Sequence, residues 1–561
     1  MKAASVGFGA AVIAAVVGAG PAAAPQEKPR APEPVAEAVR VNVVNVEVAV
    51  TGRDGRAVYD VRPEEFELRE DGVVVPLTNF LAPIAPGAMP ASGEAVRPTP
   101  ASGARGPTEE AGRTLVVFVD DLNLTPRSRK PVLDNLRRFL AERTAEGYRV
   151  VLLSFNRTMQ QHTPLTGDPK VLTDALDTLE HTAFAGLMIK AQRDALLRDM
   201  GRPLAQESGR AGDLDRQMLG TQAAFSAREQ ASLMNLLMDS LAKLVDSLAG
   251  VPGRKAVLYV SEGIPLDPGS DVLGEAAALS GQGQPDEDVT TSADLRRRLR
   301  EVVHRANASR ITFYTINSGP SSGREVSAEV AMNPGTDVDA ADFFSRDPSL
   351  VALTVGTGGL RLPNADALPT MVTDMEALYS LGYSPSHYGD GRYHRLEVRV
   401  ARAGASVRCR EGYLDKTPEK REEDVTSAAL FARGDDNPLG ARVQLGTAEK
   451  QGRGRFLLPL TLFVPARSLV LLENGAVQEG QVSVAIAAAK AGGRRSEVAR
   501  QTFPIRVPTQ HAAAFLRHDV SFAFSLLIEP GDATISVTAR DDSGHVESVV
   551  VVDIGAEPPK R

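Results

Sequence analysis

The chain has 561 residues, more than one hydrophobic core ordinarily organises, so about three domains are expected. Hydrophobic residues at 43% and charged residues at 24% are ordinary globular values, while a net charge of −8 argues against a polyanionic partner such as nucleic acid. With no tryptophan, few aromatics and Cys409 as the one cysteine, the sequence excludes a large base-stacking surface, an intramolecular disulfide and a Cys-rich metal site.

Lys2 precedes an Ala/Gly/Val run from Ala3 to Gly20, followed by Pro21 and Ala22 to Ala24. A charged start, an apolar stretch and a small-residue exit predict a secretory signal over residues 1–24 and a periplasmic or extracellular destination. Pro25 disfavours a cut after Ala24, so the cleavage bond stays open, and retention of the run as a membrane anchor is the alternative. No cysteine stands directly after it, which excludes a lipoprotein anchor. Nothing later reads as a transmembrane span.

A Pro-rich spacer (25–38) leads to a run from Val39 to Val50 with near-strict alternation, the signature of a strand. Asp54-Gly55 and Asp71-Gly72 mark turns around further strands, which predicts a small β-module over 39–81. Residues 82–112, rich in Pro, Gly, Ala and Ser, read as a flexible linker.

From residue 113 to 380 the pattern becomes α/β. The continuous apolar runs Leu115 to Val119, Val150 to Phe155, Lys255 to Val260 and Ile311 to Ile316 read as strands buried on both faces. Amphipathic helices are expected from Pro131 to Glu146, after Thr166-Gly-Asp-Pro169, and from Ala293 to Asn307, with a helical insertion over 186–249. Alternation of strands and helices implies a doubly wound, mostly parallel sheet, whose sites lie beyond the strand C-termini. The block Tyr379–Tyr413 is predicted as a helix end entering a β-hairpin, and 381–415 as a β-hairpin extension. Helix signals stop past Leu414, and runs at 456–464, 481–489, 520–528, 532–540 and 546–554 predict an all-β, sandwich-like domain over 425–557. Cys409, in an alternating stretch, reads as a buried thiol. The charge runs Arg296 to Arg298 and Glu419 to Asp424 read as solvated surface.

Two strand ends carry the candidate chemistry. The first delivers Asp120-Asp121-Leu122-Asn123-Leu124-Thr125 and the third delivers Ser261-Glu262-Gly263. With the strand–helix order, these resemble a von Willebrand factor A domain, which holds a divalent cation through Asp-x-Ser-x-Ser, a later Thr and a later Asp. The resemblance implies a degenerate version of that site. Counted from Asp120, the serine positions are Leu122 and Leu124, which cannot ligate. Counted from Asp121, they are Asn123 and Thr125, which can. Asp120, Asp121, Asn123, Thr125, Thr182 and Glu262 are therefore the candidate oxygen set for Mg2+ or Ca2+, and a decayed, metal-free rim is the alternative.

A second group of motifs widens the resemblance. Glu70-Asp71-Gly72, Thr357-Gly358-Gly359, Tyr379-x-Leu-Gly-Tyr383-x-Pro385, Gly391-x-Tyr393-His394-Arg395 and Arg410-Glu-Gly-Tyr413 are similar to those of exported von Willebrand factor A-related proteins of acidobacterial type. Over residues 40–415 the resemblance implies a fold and an extracytoplasmic site, with no settled activity. The top face flanked by β-modules on a flexible tether, without a convincing catalytic constellation, points to an extracytoplasmic protein partner in adhesion or as a scaffold. The tyrosines read as packing and strand-pairing residues.

Catalytic signals are sparse. Gly319-Pro320-Ser321-Ser322-Gly323 matches G-x-S-x-G, but Pro320 precedes the serine and no oxyanion loop follows. A serine hydrolase built on Ser321 is thus a weaker alternative, as is a structural cell-envelope component with no discrete ligand. The eight histidines show no ligand spacing, and His387 and His394 fall in the hairpin without an evident acid partner. The expectation is a binding protein rather than an enzyme.

Overall fold

A computed structural model describes residues 43–85, 114–201, 210–280, 289–317, 336–432, 437–451, 455–490 and 495–555. The expected signal (1–24), the spacer (25–38), most of the linker and Ser321 lie outside the described residues. Two compact units result, Val43–Lys416 and the chain from Thr417 onward. Among the described residues no helix is long and apolar enough to cross a membrane.

The first unit opens with strands β1 (Val44–Thr51), β2 (Phe66–Glu70), β3 (Val73–Val75) and β4 (Asn79–Leu81). Then come β5 (Thr114–Asp120), α1 (Pro126–Ala145), β6 (Arg149–Phe155), β7 (Met159–Gln161), α2 (Pro169–His181), α3 (Ala185–Met200) and α4 (Arg210–Leu248). They lead into β8 (Lys255–Ser261), α5 (Ser270–Ser280), α6 (Val289–Ala308), β9 (Ile311–Asn317), α7 (Thr336–Thr357), β10 (Arg361–Leu362) and α8 (Leu368–Glu376). It closes with β11 (Leu378–Tyr383), β12 (Tyr393–Val400), β13 (Ser406–Cys409) and β14 (Gly412–Leu414).

Six strands form one sheet in the order β10-β9-β8-β5-β6-β7. All neighbours are parallel except β7, which runs antiparallel to β6. Counted from β5, the order reads 3-2-1-4-5-6 from the β7 edge. Successive connections therefore change direction between β5 and β8, and doubly wound sheets open a crevice at that point. The apolar runs are buried as a two-sided sheet requires. Leu115, Val117, Val119, Leu152, Leu258 and Val260 pack on Val132, Leu133, Leu136, Leu140, Leu172 and Leu176. Val116, Phe118, Val257 and Tyr259 are equally buried.

Helix α1 begins at Pro126, five residues before the expected Pro131. Thr125 is its N-cap and forms a capping box with Ser128, while Pro126 starts the helix where its missing N–H costs nothing. Among its described residues the insertion holds two helices, α3 and α4.

The separate N-terminal module (39–81) and hairpin extension (381–415) are one structure. β1 pairs with β11 and β13, and β2 pairs with β12, giving two four-stranded sheets, β13-β1-β11-β4 and β14-β12-β2-β3. Val46, Val48, Phe66 and Leu68 from the first segment share one core with Tyr379, Leu381, Tyr383, Leu396 and Val398 from the second. Neither hairpin alone could bury its apolar face, so each supplies the other's missing layer. The expected helix end at Tyr379 is strand β11. Asp71 and Gly72, both at positive φ, make the two-residue turn between β2 and β3.

This β-module is fastened to the α/β layers by polar contacts. Arg410 is buried and donates to the carbonyls of Asn307 (3.0 Å) and Asn45 (2.8 Å). Arg408 pairs with Asp374, whose carboxylate also accepts from the Tyr314 hydroxyl at 2.9 Å. Gly358 lies at φ +74°, and a Cβ on it would meet Cys409 backbone at 2.7 Å. Cys409 itself is half-buried, and burial pushes its thiol up to about 11, an unreactive value at neutral pH.

The second unit forms two sheets around one apolar core that includes Leu458, Leu460, Val484, Phe522, Phe524 and Val537. It contains the five expected strands, and Ala499–Pro508 adds another that pairs along Val477–Lys490. A helix, Pro418–Ala429, stands where none was expected. It overturns the reading of Glu419 to Asp424 as wholly solvated, because Glu422 and Asp424 are buried and Arg500 Nε donates to Glu422 at 2.7 Å.

Gly359 is the tightest position of the Thr357-Gly358-Gly359 motif. A Cβ there would stand 1.8 Å from the Phe313 carbonyl oxygen, backbone that cannot yield. Gly359→Ala is expected to destabilise the first unit by at least about 1–3 kcal/mol, read as a lower urea midpoint at unchanged slope.

Candidate functional site

The register of β5 against β8 sets Val119 beside Val260, so Asp120-Asp121 and Ser261-Glu262 leave the sheet side by side at the switch point. The Glu262 N–H donates to the Asn123 carbonyl at 3.1 Å, which ties the two loops together. Helix α3 closes over them. The Gly186 N–H donates to the Asp121 carbonyl at 3.2 Å, and a Cβ on Gly186 would fall within 2.8 Å of the carbonyls of Asp121, Leu122 and Leu124.

Each carboxylate at this rim is met by a different protein group. Asp120 is fully buried and accepts from the Tyr259 hydroxyl (2.5 Å), Asn123 Nδ2 (2.8 Å) and the Ser261 hydroxyl (3.1 Å) at Oδ2, and from Asn123 N–H (3.3 Å) at Oδ1. Burial raises its pKa against those bonds. Asp121 is also buried and faces Arg129, with Nε at 2.7 Å from Oδ1 and Nη2 at 3.4 Å from Oδ2. Burial raises this carboxyl too, and Arg129 works in the opposite direction. Glu262 Oε1 accepts from Thr125 N–H (3.0 Å), the Thr125 hydroxyl (2.7 Å) and the Ser128 hydroxyl (2.5 Å), so it sits on the N-terminus of α1.

Arg129 does more than neutralise Asp121. Its Nη2 donates to the Leu179 carbonyl (2.6 Å) and its Nη1 to the Glu180 carbonyl (3.1 Å), and its guanidinium lies 4.6 Å above the Phe184 ring centroid. It thus bridges the strand end and the last turn of α2, whose carbonyls carry partial negative charge. Thr182 lies outside this arrangement and donates its hydroxyl to the Thr178 carbonyl of its own helix at 2.7 Å.

Five of the six candidate ligands therefore fall into three separate partnerships. Asp120 goes with Asn123, Thr125 with Glu262, Asp121 with Arg129, and Thr182 is turned away. This arrangement does not fit a divalent ion. Both oxygens of Asp120 and of Asp121 are engaged, and a guanidinium already supplies the positive charge beside Asp121. Arg129 itself escaped sequence reasoning because the helix was expected to start only at Pro131, which left Arg129 in a polar loop.

A second cluster also escaped. His387, in the β11–β12 loop, has Nδ1 at 3.0 Å from Asp415 Oδ2 and Nε2 at 3.3 Å from Glu70 Oε1. His394 has Nδ1 at 2.9 Å from Asp71 Oδ2 and Nε2 at 3.2 Å from Asp390 Oδ2. The two rings stack with centroids 3.8 Å apart and planes 13° apart. Both histidines thus have acid partners, contrary to the sequence expectation. For His394, burial opposes protonation, but Asp71 and Asp390 outweigh it and raise the pKa. The Tyr383 and Tyr413 hydroxyls both donate to Glu70 Oε1, at 2.5 and 2.7 Å. The local spacing His387-x-x-Asp390-x-x-x-His394 was readable in the chain, whereas Glu70 and Asp415 arrive only through strand pairing.

No family model and no curated protein matches the sequence. Among solved structures, the protein BatB from Bacteroides thetaiotaomicron is 12% identical and covers 47% of this chain and 97% of its own, with a TM-score of 0.20. Proximal thread matrix protein 1 from the mussel byssus, with a zinc-occupied MIDAS motif, is 10% identical and covers 49% of this chain and 48% of its own, with a TM-score of 0.20. The type V pili tip protein Mfa5 from Porphyromonas gingivalis, in its three N-terminal domains, is 8% identical and covers 91% of this chain and 78% of its own, with a TM-score of 0.26.

Two outcomes are expected at the rim. Arg129→Met strands the buried Asp121 charge and should cost about 3–5 kcal/mol, most of it recovered in the Asp121→Asn/Arg129→Met double variant, as read by urea unfolding. Asp120 gives a pH signature. Its folded pKa lies above the ordinary 3.8, so its contribution is fully present below that value and is lost as pH rises through the folded one. The unfolding free energy of wild type minus Asp120→Asn should therefore fall as pH rises above about 4.

Proposed function

We propose that this chain is an exported, von Willebrand factor A-like binding or scaffold protein that docks a partner protein at the β5–β8 rim without a bound ion. Arg129 against Asp121 is the observation that carries this reading. The place where the resemblance implies a cation receives a fixed positive charge from the protein itself, and what remains at the rim is a rigid, internally satisfied platform. The 3-2-1-4-5-6 strand order supports the fold assignment, and the apolar run before Pro21 supports export.

The helices bordering the rim supply the apolar contact such docking needs. Met188, two residues past the Gly186 contact, is 68% exposed, and Phe225 on α4 is 67% exposed. Leu214 and Met218 precede Phe225 at helical spacing and are exposed as well. Large apolar side chains left in water beside a ligand crevice are a common mark of protein interaction surfaces. One Ser–His pair stands beside the rim, Ser154 Oγ at 2.8 Å from His162 Nε2, but Ser154 is buried, so the reading is non-catalytic.

Partner capture from envelope extracts tests it. Met188→Asp and Phe225→Asp should each weaken capture by about tenfold or more while leaving the melting curve nearly unchanged, and chelation of Mg2+ and Ca2+ should leave capture intact. Capture unaffected by both substitutions, or lost on chelation and restored by Mg2+ or Ca2+, would overturn the proposal.

A further inference from the structure

The β-module carries a group of side chains that the docking rim does not use. A ring nitrogen of His387 and carboxylate oxygens of Asp390 and Asp415 all lie within 4.8 Å of one another. Strand pairing builds the group. His387 and Asp390 come from the β11–β12 loop, and Asp415 follows β14, which pairs with β12. The Asp390 N–H donates to Asp415 Oδ2 at 3.3 Å and holds the two acids together.

We propose that His387 Nδ1, Asp390 and Asp415 bind one divalent metal ion of the zinc class. Ligand atoms bonded to such an ion at about 2.0–2.2 Å sit roughly 3 Å from each other, and His387 Nδ1 already stands 3.0 Å from Asp415 Oδ2. Two carboxylates balance the charge of one divalent ion. The imidazole nitrogen favours zinc, cobalt, manganese or iron over calcium and magnesium, which take oxygen. Asp415 is buried, whereas His387 and Asp390 are partly exposed, so the site has an entry path and room for a water or a partner's group as a further ligand.

The surroundings match those of a metal-bound histidine. Such a ring donates its other N–H to a carboxylate, which sets the tautomer and the ring plane. Here Nε2 of His387 faces Glu70 Oε1 at 3.3 Å, and Glu70 is itself held by the hydroxyls of Tyr383 and Tyr413. His394 stacks parallel to His387 and so cannot aim an in-plane lone pair at the same ion. It is a positioning residue, with its Nε2 on Asp390 and its Nδ1 on Asp71. The Glu-Asp-Gly, Tyr383, His394 and Tyr413 motifs, scattered in the sequence, all converge on this one place.

Zn2+ competition against a chromophoric chelator, on the full chain stripped with EDTA, tests the site. One Zn2+ per chain is expected. His387→Gln and Asp390→Asn should each weaken binding by at least about 10–100-fold, and His394→Ala by about tenfold, while Asp121→Asn at the rim changes nothing. Co2+ should give visible d–d absorption that His387→Gln abolishes. Melting curves of the metal-free variants check their folding, and Asp390→Asn, at a partly exposed loop position, keeps the test open if His387→Gln does not fold. Absence of stoichiometric binding by wild type, or equal binding by folded His387→Gln and Asp390→Asn, would overturn the assignment.

Discussion

A carboxylate taken out of water must be matched by charge or hydrogen bonds, at a cost of several kcal/mol if it is not. The β5–β8 rim holds two such groups, Asp120 and Asp121, with the half-buried Glu262 beside them, and the local architecture follows from how each is matched. Asp120 is turned inward onto Tyr259 and Ser261 of the neighbouring strand, which locks β5 to β8. Asp121 is turned toward α1 and takes Arg129, which also reaches the end of α2. Glu262 reaches back across the crevice to the first turn of α1. Strand ends and helix ends are thereby fixed to each other by one ion pair and a set of hydrogen bonds.

The same requirement shapes the join between the α/β layers and the β-module. Arg410 is buried, so its guanidinium must find carbonyls, and it takes one from the last turn of α6 and one from β1. Arg408 and Arg310 pair with Asp374 and Glu47 across the same seam. Burial alone would push Glu47 up, but Arg310 and Arg410 hold it below the usual carboxylate range. The sandwich formed by residues on both sides of the α/β domain is thus bound in by polar contacts as well as by its shared valine and tyrosine core.

Legibility in the sequence followed the range of the interaction concerned. Strands β5, β6, β8 and β9 were readable because a two-sided buried strand needs an unbroken apolar run, as in Leu115 to Val119. Helix α2 was readable from Asp168-Pro169 and its leucine spacing. The start of α1 was misplaced because Pro131 reads as a first-turn proline, while Thr125, Pro126 and Ser128 were the true cap. The Pro418–Ala429 helix was missed because its charged face, with Glu422 inward toward Arg500, imitates a solvated run.

By itself the sequence determined the class of the domain, the order of its elements and the neighbourhood of Asp120, Asp121 and Glu262, since periodicity and the alternation of strand and helix are local properties. Tertiary structure alone decided which partner each of those carboxylates has. It also decided that residues 44–81 and 378–414 share one core, and that Glu70, His387, His394 and Asp415 meet. Those outcomes depend on pairings across some three hundred residues, where register and burial, not spacing along the chain, choose the neighbour.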